Sequence, residues 1–82
     1  MNQQNNRDMK LQKIKYTLWF NKLDLTVRNE KLMNNIYPVD EYVVEDNLEM
    51  LSITFNAFFV DRVIIMNKAL ENGACIVSIG SY

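Results

Sequence analysis

The segment from Ala57 to Glu71 constrains the fold of this chain more than any other part of its sequence. Four apolar residues recur within it at spacings of four, three and four. This spacing predicts an α-helix that turns one apolar stripe toward a core. The stripe consists of Phe59, Val63, Met66 and Leu70.

Residues at both ends of this segment are typical of helix boundaries. Asn56 is suited to accept hydrogen bonds from the first free amides of a helix. Gly73, which follows Asn72, can adopt the left-handed conformation that ends a helix. The β-branched run 63–65 favours instead a strand over residues 57–66. The length of the segment and its two caps favour the helix.

Apolar residues extend around most of the circumference of this predicted helix, beyond its core stripe. The additional residues are Phe58, Val60, Ile64 and Ile65. A chain of 82 residues forms one domain with a single core, which has too few other elements to cover the helix on every side. We therefore predict that these residues bind a partner protein. A second copy of the chain is the first candidate, because twofold homodimers are the commonest assemblies.

An alternative interpretation needs no partner. In it, residues 28–38 fold over the helix and cover it with their own apolar side chains: Leu32, Met33, Ile36 and Tyr37. The sequence leaves this segment open between a helical turn and an irregular loop. Pro38 ends any helix before it, because proline restricts the residue that precedes it to an extended conformation.

Apolar and polar residues alternate with the period of a β-strand over residues 14–20 and again over residues 23–27. A two-residue loop at Asn21 and Lys22 would place the apolar residues of both arms on one face. We therefore predict a β-hairpin. Trp19 lies on its outward face and is a candidate partner-binding residue, because exposed tryptophan is frequent among interface hot spots.

A second hairpin is predicted from strands at residues 42–45 and 48–55, with a turn at Asp46 and Asn47. Residues 74–79 follow the helix and are apolar enough for a buried strand. The predicted fold is therefore α+β. It has a mainly antiparallel sheet of about five strands, made of two hairpins and a C-terminal strand, with one helix from the C-terminal half packed on one face.

The domain organisation is simple. Residues 1–9 show no periodicity and are rich in Asn and Gln, which predicts a disordered N-terminal tail. Residues 10–82 are predicted to form a single α+β domain. The N-terminus is polar and no apolar run approaches the ~20 residues that span a bilayer, so we expect a cytoplasmic protein without membrane contact.

The composition excludes most catalytic and metal-binding arrangements. The chain has no histidine, one cysteine and two glycines. A zinc site, a Ser-His-acid triad and a glycine-rich phosphate loop each require residues that are missing. We therefore predict no enzymatic activity, no cofactor, no metal and no small-molecule substrate. Cys75 lies in an apolar run and is predicted to be a buried structural thiol.

Acidic residues are densest around the second predicted hairpin. This acidic cluster consists of Asp40, Glu41, Glu45, Asp46 and Glu49. Charges at the edge of a hairpin ordinarily face water. As a binding patch, the acidic cluster would recognise a partner protein with a basic surface.

Basic residues are concentrated in the first third of the chain, among them Lys10, Lys13, Lys15, Lys22 and Arg28. With Trp19 and Tyr16 nearby as stacking groups, they favour a small nucleic-acid-binding protein as the alternative function. The sequence pI of about 5.2 opposes this function, because nucleic-acid-binding domains are usually basic. Tyr16 also falls on the predicted core face of its strand.

The leading hypothesis is a small non-catalytic protein-binding module that acts by occupying the surface of a partner. Its small size, its lack of catalytic residues and its excess of apolar residues all favour this function. Inhibitors and regulators carried by phages and mobile elements often have this general character. The partner is predicted to be a second copy, another protein with a basic surface, or both.

Overall fold

The computed structural model describes residues 12–80 of the chain. This part contains four β-strands and two α-helices: β1 (Lys13–Asn21), α1 (Asn29–Ile36), β2 (Val43–Asp46), β3 (Met50–Phe58), α2 (Arg62–Glu71) and β4 (Ala74–Ile79). Short 3-10 helices at Lys22–Asp24 and Phe59–Asp61 follow β1 and β3. The tail predicted for residues 1–9 lies outside the described residues.

The four strands form one antiparallel sheet in the order β2-β3-β1-β4. Helix α1 connects β1 to β2, and α2 connects β3 to β4. This βαββαβ arrangement is the ferredoxin-like topology, with β1 and β3 central and β2 and β4 at the edges. The predicted α+β class and mainly antiparallel sheet are confirmed. The described chain has four strands and two helices, however, in place of about five strands and one helix.

Both helices pack on the same face of the sheet. The register places Tyr16 opposite Phe55 and Leu18 opposite Ile53, so alternate residues of β1 and β3 point toward the helices. None of these four side chains is more than 3% exposed. The helices complete this core with Leu32, Met33 and Ile36 from α1 and with Ile65 and Ala69 from α2. We call the opposite side of the sheet the helix-free face.

The first predicted hairpin is wrong, although its first strand is present as β1. Residues 23–27 contain part of a 3-10 helix instead of a strand, and Asn21 accepts a hydrogen bond from the Leu23 amide at 3.1 Å. A two-residue hairpin loop requires positive φ at its central positions or at one of them. Asn21 has a φ of −79°, and no non-glycine residue in the described range has a positive φ. After Asn21 the chain therefore turns away from β1 instead of folding back to pair with it. Strand β1 pairs with β3 and β4.

Residues 28–38 contain the helix that the prediction lacked. Helix α1 ends before Pro38, as expected, and lies beside α2. The segment thus folds against the C-terminal helix, as the partner-free interpretation proposed, yet it leaves part of α2 exposed. The second predicted hairpin is present, because β2 and β3 pair antiparallel around a turn at residues 47–49.

Helix α2 begins later than predicted. Strand β3 continues through Phe58, so Asn56 is a strand residue on the helix-free face and caps no helix. The predicted end of the helix is confirmed, because Gly73 follows Asn72 with a φ of 97°. No helix within residues 12–80 has the length and apolar character needed to cross a membrane.

The face that α2 turns toward the sheet differs from the predicted one. Ile65 and Ala69 are both 0% exposed, and they lie four residues apart on the inner side of the helix. Val63 and Leu70, assigned above to the core stripe, expose 53% and 51% of their surface. The small Ala69 side chain lets the helix approach the sheet along this line, which a larger residue would prevent.

Strand β4 has the predicted bounds but is not buried. It is an edge strand, and Ile76 is 56% exposed. The prediction of a buried thiol is wrong as well, because Cys75 is exposed. It lies at a shift in the register of β1 and β4, where Trp19 pairs with Ile76 but Phe20 pairs with Ala74. The extra residue of this bulge is Cys75.

Candidate protein-binding surface

Five exposed apolar side chains on α2 and β4 define what we call the α2–β4 surface. They are Val63, Met66 and Leu70 of α2, Ile79 on the helix side of β4, and Ile76 on the helix-free face of β4, and each exposes between 37% and 56% of its surface. Val63, Met66 and Leu70 share one flank of α2, because they are three and four residues apart. Among the strands, α2 packs chiefly against β4. Exposed apolar residues grouped on adjacent elements are typical of a protein-binding site.

Strand β4 also presents backbone hydrogen-bonding groups at the edge of the sheet. The amide of Gly80 donates to the Lys15 carbonyl of β1 at 2.7 Å. This bond fixes the hydrogen-bonding phase of the strand pair, which is the choice of alternate β4 residues that direct their backbone groups toward β1. Because bonded residues alternate along an antiparallel pair, Ile76 and Ser78 bond with β1. The N–H and C=O groups of Val77 and Ile79 therefore point away from β1. Strand β4 contains no charged residue and no proline, so its bulge at Cys75 is the one feature of this strand that ordinarily protects an edge.

The opposite edge of the sheet has this protection. Strand β2 is four residues long and carries Glu45 and Asp46. Asp46 forms an ion pair with Lys22. All members of the acidic cluster are exposed, on β2 or in the segments beside it: Asp40, Glu41, Glu45, Asp46 and Glu49. Within residues 12–80, no three acidic or cysteine side chains come close enough to hold a metal ion.

The helix-free face carries two aromatic side chains on the central strands. Trp19 of β1 is half-buried between Ser52 of β3 and Ile76 of β4. Phe58, at the end of β3, is 38% exposed, and the Lys13 ammonium group lies 5.4 Å from its ring centre. This contact is a cation–π interaction at an exposed site.

An open cleft of about 490 Å³ lies between the segment that leads into β2 and the end of β3. Its ionisable lining residues include Lys13, Asp40 and Glu41, all of which are exposed. The exposed charges of this cleft are suited to polar contacts with a charged group.

Two tyrosines connect the core to the start of α2. The hydroxyl of Tyr37 donates to Asp61, and this hydrogen bond, together with burial, raises the pKa of Tyr37 to about 12. The hydroxyl of Tyr16 donates to the Phe58 carbonyl at 2.8 Å, and burial raises the pKa of Tyr16. Both hydroxyls therefore remain protonated at neutral pH and act as structural donors.

The structure separates the residues that the sequence grouped as partner-binding. Ile65 is 0% exposed and belongs to the core, so it is lost from the predicted set. Val60 and Ile64 are 50% and 55% exposed, but Ile64 lies on a different side of α2 from Leu70, because the two positions are about 120° apart on a helical wheel. Trp19 and Phe58 lie on the helix-free face, and the acidic cluster lies at the β2 edge.

The sequence-based prediction did not identify the stripe of α2 as exposed, because it assigned Val63, Met66 and Leu70 to the core. One signal in the sequence marks the correct side. Ile65 and Ala69 pair a large residue with a small one four positions later, as close packing against a sheet requires. A second signal is the contrast between the charges of β2 and the uncharged sequence of β4.

Comparison of the chain with protein-family models, with curated proteins and with solved structures gives no match. The ferredoxin-like topology itself supports many unrelated functions, so it assigns none here. The function must therefore be inferred from the surfaces described above.

Proposed function

We propose that this protein is a non-catalytic protein-binding module and that its α2–β4 surface is the binding site. The observation that carries the proposal is the half-exposed apolar stripe of α2 beside an uncharged edge strand. Covering these side chains removes apolar surface from water, which is the main favourable contribution to most protein association. Such a module acts by occupying a partner's surface, as an inhibitor or regulator does.

The acidic cluster supports a second contact in the same function. Its five carboxylates are exposed at the β2 edge, away from β4. A partner with a basic surface would be attracted to this edge, and the attraction would accelerate association more than it would strengthen the complex. Added salt would therefore slow association with such a partner.

The test of the binding site compares two leucines. Leu70 is 51% exposed within the α2–β4 surface, and Leu23 is 90% exposed outside it. We expect Leu70→Lys to weaken association about 100-fold, because a charge would be buried at the interface. The control variant Leu23→Lys should leave association unchanged. The measurement is the dissociation constant, from sedimentation for self-association and from calorimetry for a purified partner.

Equal effects of the two substitutions would contradict the proposal. So would a wild-type protein that neither self-associates nor binds any purified partner with an affinity that Leu70→Lys reduces. Circular dichroism of both variants establishes that each is folded, which is expected because both side chains lie outside the core.

A second candidate function is the binding of single-stranded nucleic acid on the helix-free face. Trp19 and Phe58 lie on the two central strands, with Lys13 and Lys15 on the same face. Sheets of this topology in RNA-recognition domains stack bases on aromatic residues of their central strands. Tyr16, by contrast, is fully buried and cannot stack on a base.

The single tryptophan provides the test of this second function. Stacking of a base on Trp19 would quench its fluorescence, and the effect would weaken with added salt. A titration with an oligouridine and an oligothymidine at low salt measures this directly. Unchanged fluorescence in both titrations would exclude this function for the helix-free face.

A further inference from the structure

We propose that the protein bound at the α2–β4 surface is a second copy of this chain, joined by antiparallel pairing of β4 with β4. The two four-stranded sheets would then form one sheet of eight strands. This inference rests on the proposed function, because it names the partner and the geometry for the same surface.

The backbone of β4 is the first reason. Val77 and Ile79 direct their N–H and C=O groups away from β1, as the phase set by the Gly80 hydrogen bond requires. An edge of this kind pairs most readily with another β-strand. Strand β4 of a second copy can be this partner strand. Its outward N–H and C=O groups would bond with the outward C=O and N–H groups of the first β4.

Charge is the second reason. A twofold axis brings each residue of an interface near its own copy, so a charged edge would repel itself. Strand β4 has the sequence Ala-Cys-Ile-Val-Ser-Ile and carries no charge, so its self-pairing brings no like charges together. Strand β2 contains two acids, and its self-pairing would bring four carboxylates together.

The position of the α2 stripe is the third reason. Connections between parallel strands through a helix are right-handed in nearly all proteins. With that handedness, the flank of α2 that carries Val63, Met66 and Leu70 is the flank above β4. Pairing of two β4 strands would therefore bring the two α2 stripes toward each other across the twofold axis. The backbone contact and the apolar contact would form in one interface.

The hydrogen-bonding phase also restricts the register. Residues whose backbone groups face outward must lie opposite one another in the new pair, and Val77 and Ile79 are such residues. The longest overlap of residues 74–80 with themselves places Val77 opposite Val77 of the second copy. Cys75 then lies opposite Ile79 of the second copy.

Amide hydrogen exchange of the wild-type protein, followed by NMR at low and high micromolar concentration, tests this geometry. We expect the amides of Val77 and Ile79 to exchange at least ten times more slowly at the high concentration. The amides of Ile76 and Ser78 bond with β1 and should be protected at both concentrations. The matched control is the outward-facing amide of Val44 on β2, which should exchange rapidly throughout.

The outcomes separate this inference from the proposed function. A dimer whose Val77 and Ile79 amides exchange rapidly at all concentrations would overturn β4 pairing and leave the binding module intact. A monomer that binds a different protein through Leu70 would overturn the second copy as partner. Slow exchange at Val77 and Ile79 only when the copies associate would support the inference, and equal slowing at Val44 would contradict it.

Discussion

The two edges of the sheet differ in length, charge and surroundings. Strand β2 has four residues, two of them acidic, and lies within the acidic cluster. Strand β4 has six residues without charge and packs against α2, the helix that carries the exposed stripe. Short length and charge prevent an edge from pairing with another chain, whereas an uncharged longer edge permits it. Within one small sheet, one edge is therefore adapted to water and the other is suited to contact with protein.

This difference bears on the stability of the isolated chain as well as on its binding. A domain of 82 residues has only a small net stability, and side chains left half-exposed contribute little to it. Association that covers the α2–β4 surface would stabilise the folded chain by mass action. The β2 edge offers no comparable gain, because its exposed side chains are mostly charged and already well solvated.

The largest expected effect comes from comparing a substitution on the buried side of α2 with one on its exposed side. Ile65→Ala removes a side chain that is 0% exposed and should lower the free energy of unfolding by about 3 kcal/mol. Val63→Ala removes a side chain that is 53% exposed and should cost less than about 1 kcal/mol at low protein concentration. Urea unfolding of both variants measures the difference. Similar losses would show that the two sides of the helix are not distinct.

Two matched lysine substitutions, one on each edge strand, test the two edges directly. Ile76 on β4 and Val43 on β2 are both β-branched, lie on the helix-free face and are 56% and 60% exposed. Ile76→Lys should weaken self-association about tenfold, because the new charges of two copies would approach each other across paired β4 strands. Val43→Lys should have no effect. Sedimentation velocity over a concentration series provides both constants, and a stronger effect of Val43→Lys would reverse the assignment of the edges.

A smaller effect is expected at Tyr37, which lies between α1 and β2. Tyr37→Phe removes the hydrogen bond to Asp61 and should lower the free energy of unfolding at neutral pH by about 1 kcal/mol. Self-association should be unchanged, because Tyr37 lies outside the α2–β4 surface. Thermal unfolding and sedimentation of the variant measure the two quantities. A loss of association without a loss of stability would extend the interface to the β2 side of the molecule.

The same residue makes stability depend on alkaline pH. The pKa of Tyr37 is raised to about 12 in the folded protein, whereas the unfolded chain ionises near its ordinary value of 10.0. The contribution of Tyr37 is therefore fully present below pH 10.0 and is lost as the pH rises toward about 12. Tyr37→Phe should reduce this alkaline loss without removing it, because burial also raises the pKa of Tyr16.

Local signals in the sequence predicted much of the fold. Alternation identified β1, the turn predicted at Asp46 and Asn47 identified the β2–β3 hairpin to within a residue, and Gly73 identified the end of α2. The partners of β1 were not predictable in this way. They are β3 and β4, which are distant in sequence, and the alternation of residues 23–27 offered a nearer partner that the backbone at Asn21 does not permit.

An exposed apolar surface on α2 was predictable from the sequence, but its residues were not. Apolar positions surround α2, so periodicity alone leaves the rotation of the helix undetermined. The structure places Ile65 inside and Val63 outside, which reverses the expectation for both. Exposure of β4 depends on the strand order, since composition alone does not distinguish an uncharged edge strand from a central one.

The molar mass of the wild-type protein in solution tests the central claim most directly. One chain has a mass of 9.7 kDa. Light scattering coupled to size-exclusion chromatography at high micromolar concentration should give twice this mass, falling toward the mass of one chain on dilution. A mass of one chain throughout, with the α2 stripe facing water, would contradict self-association through the α2–β4 surface.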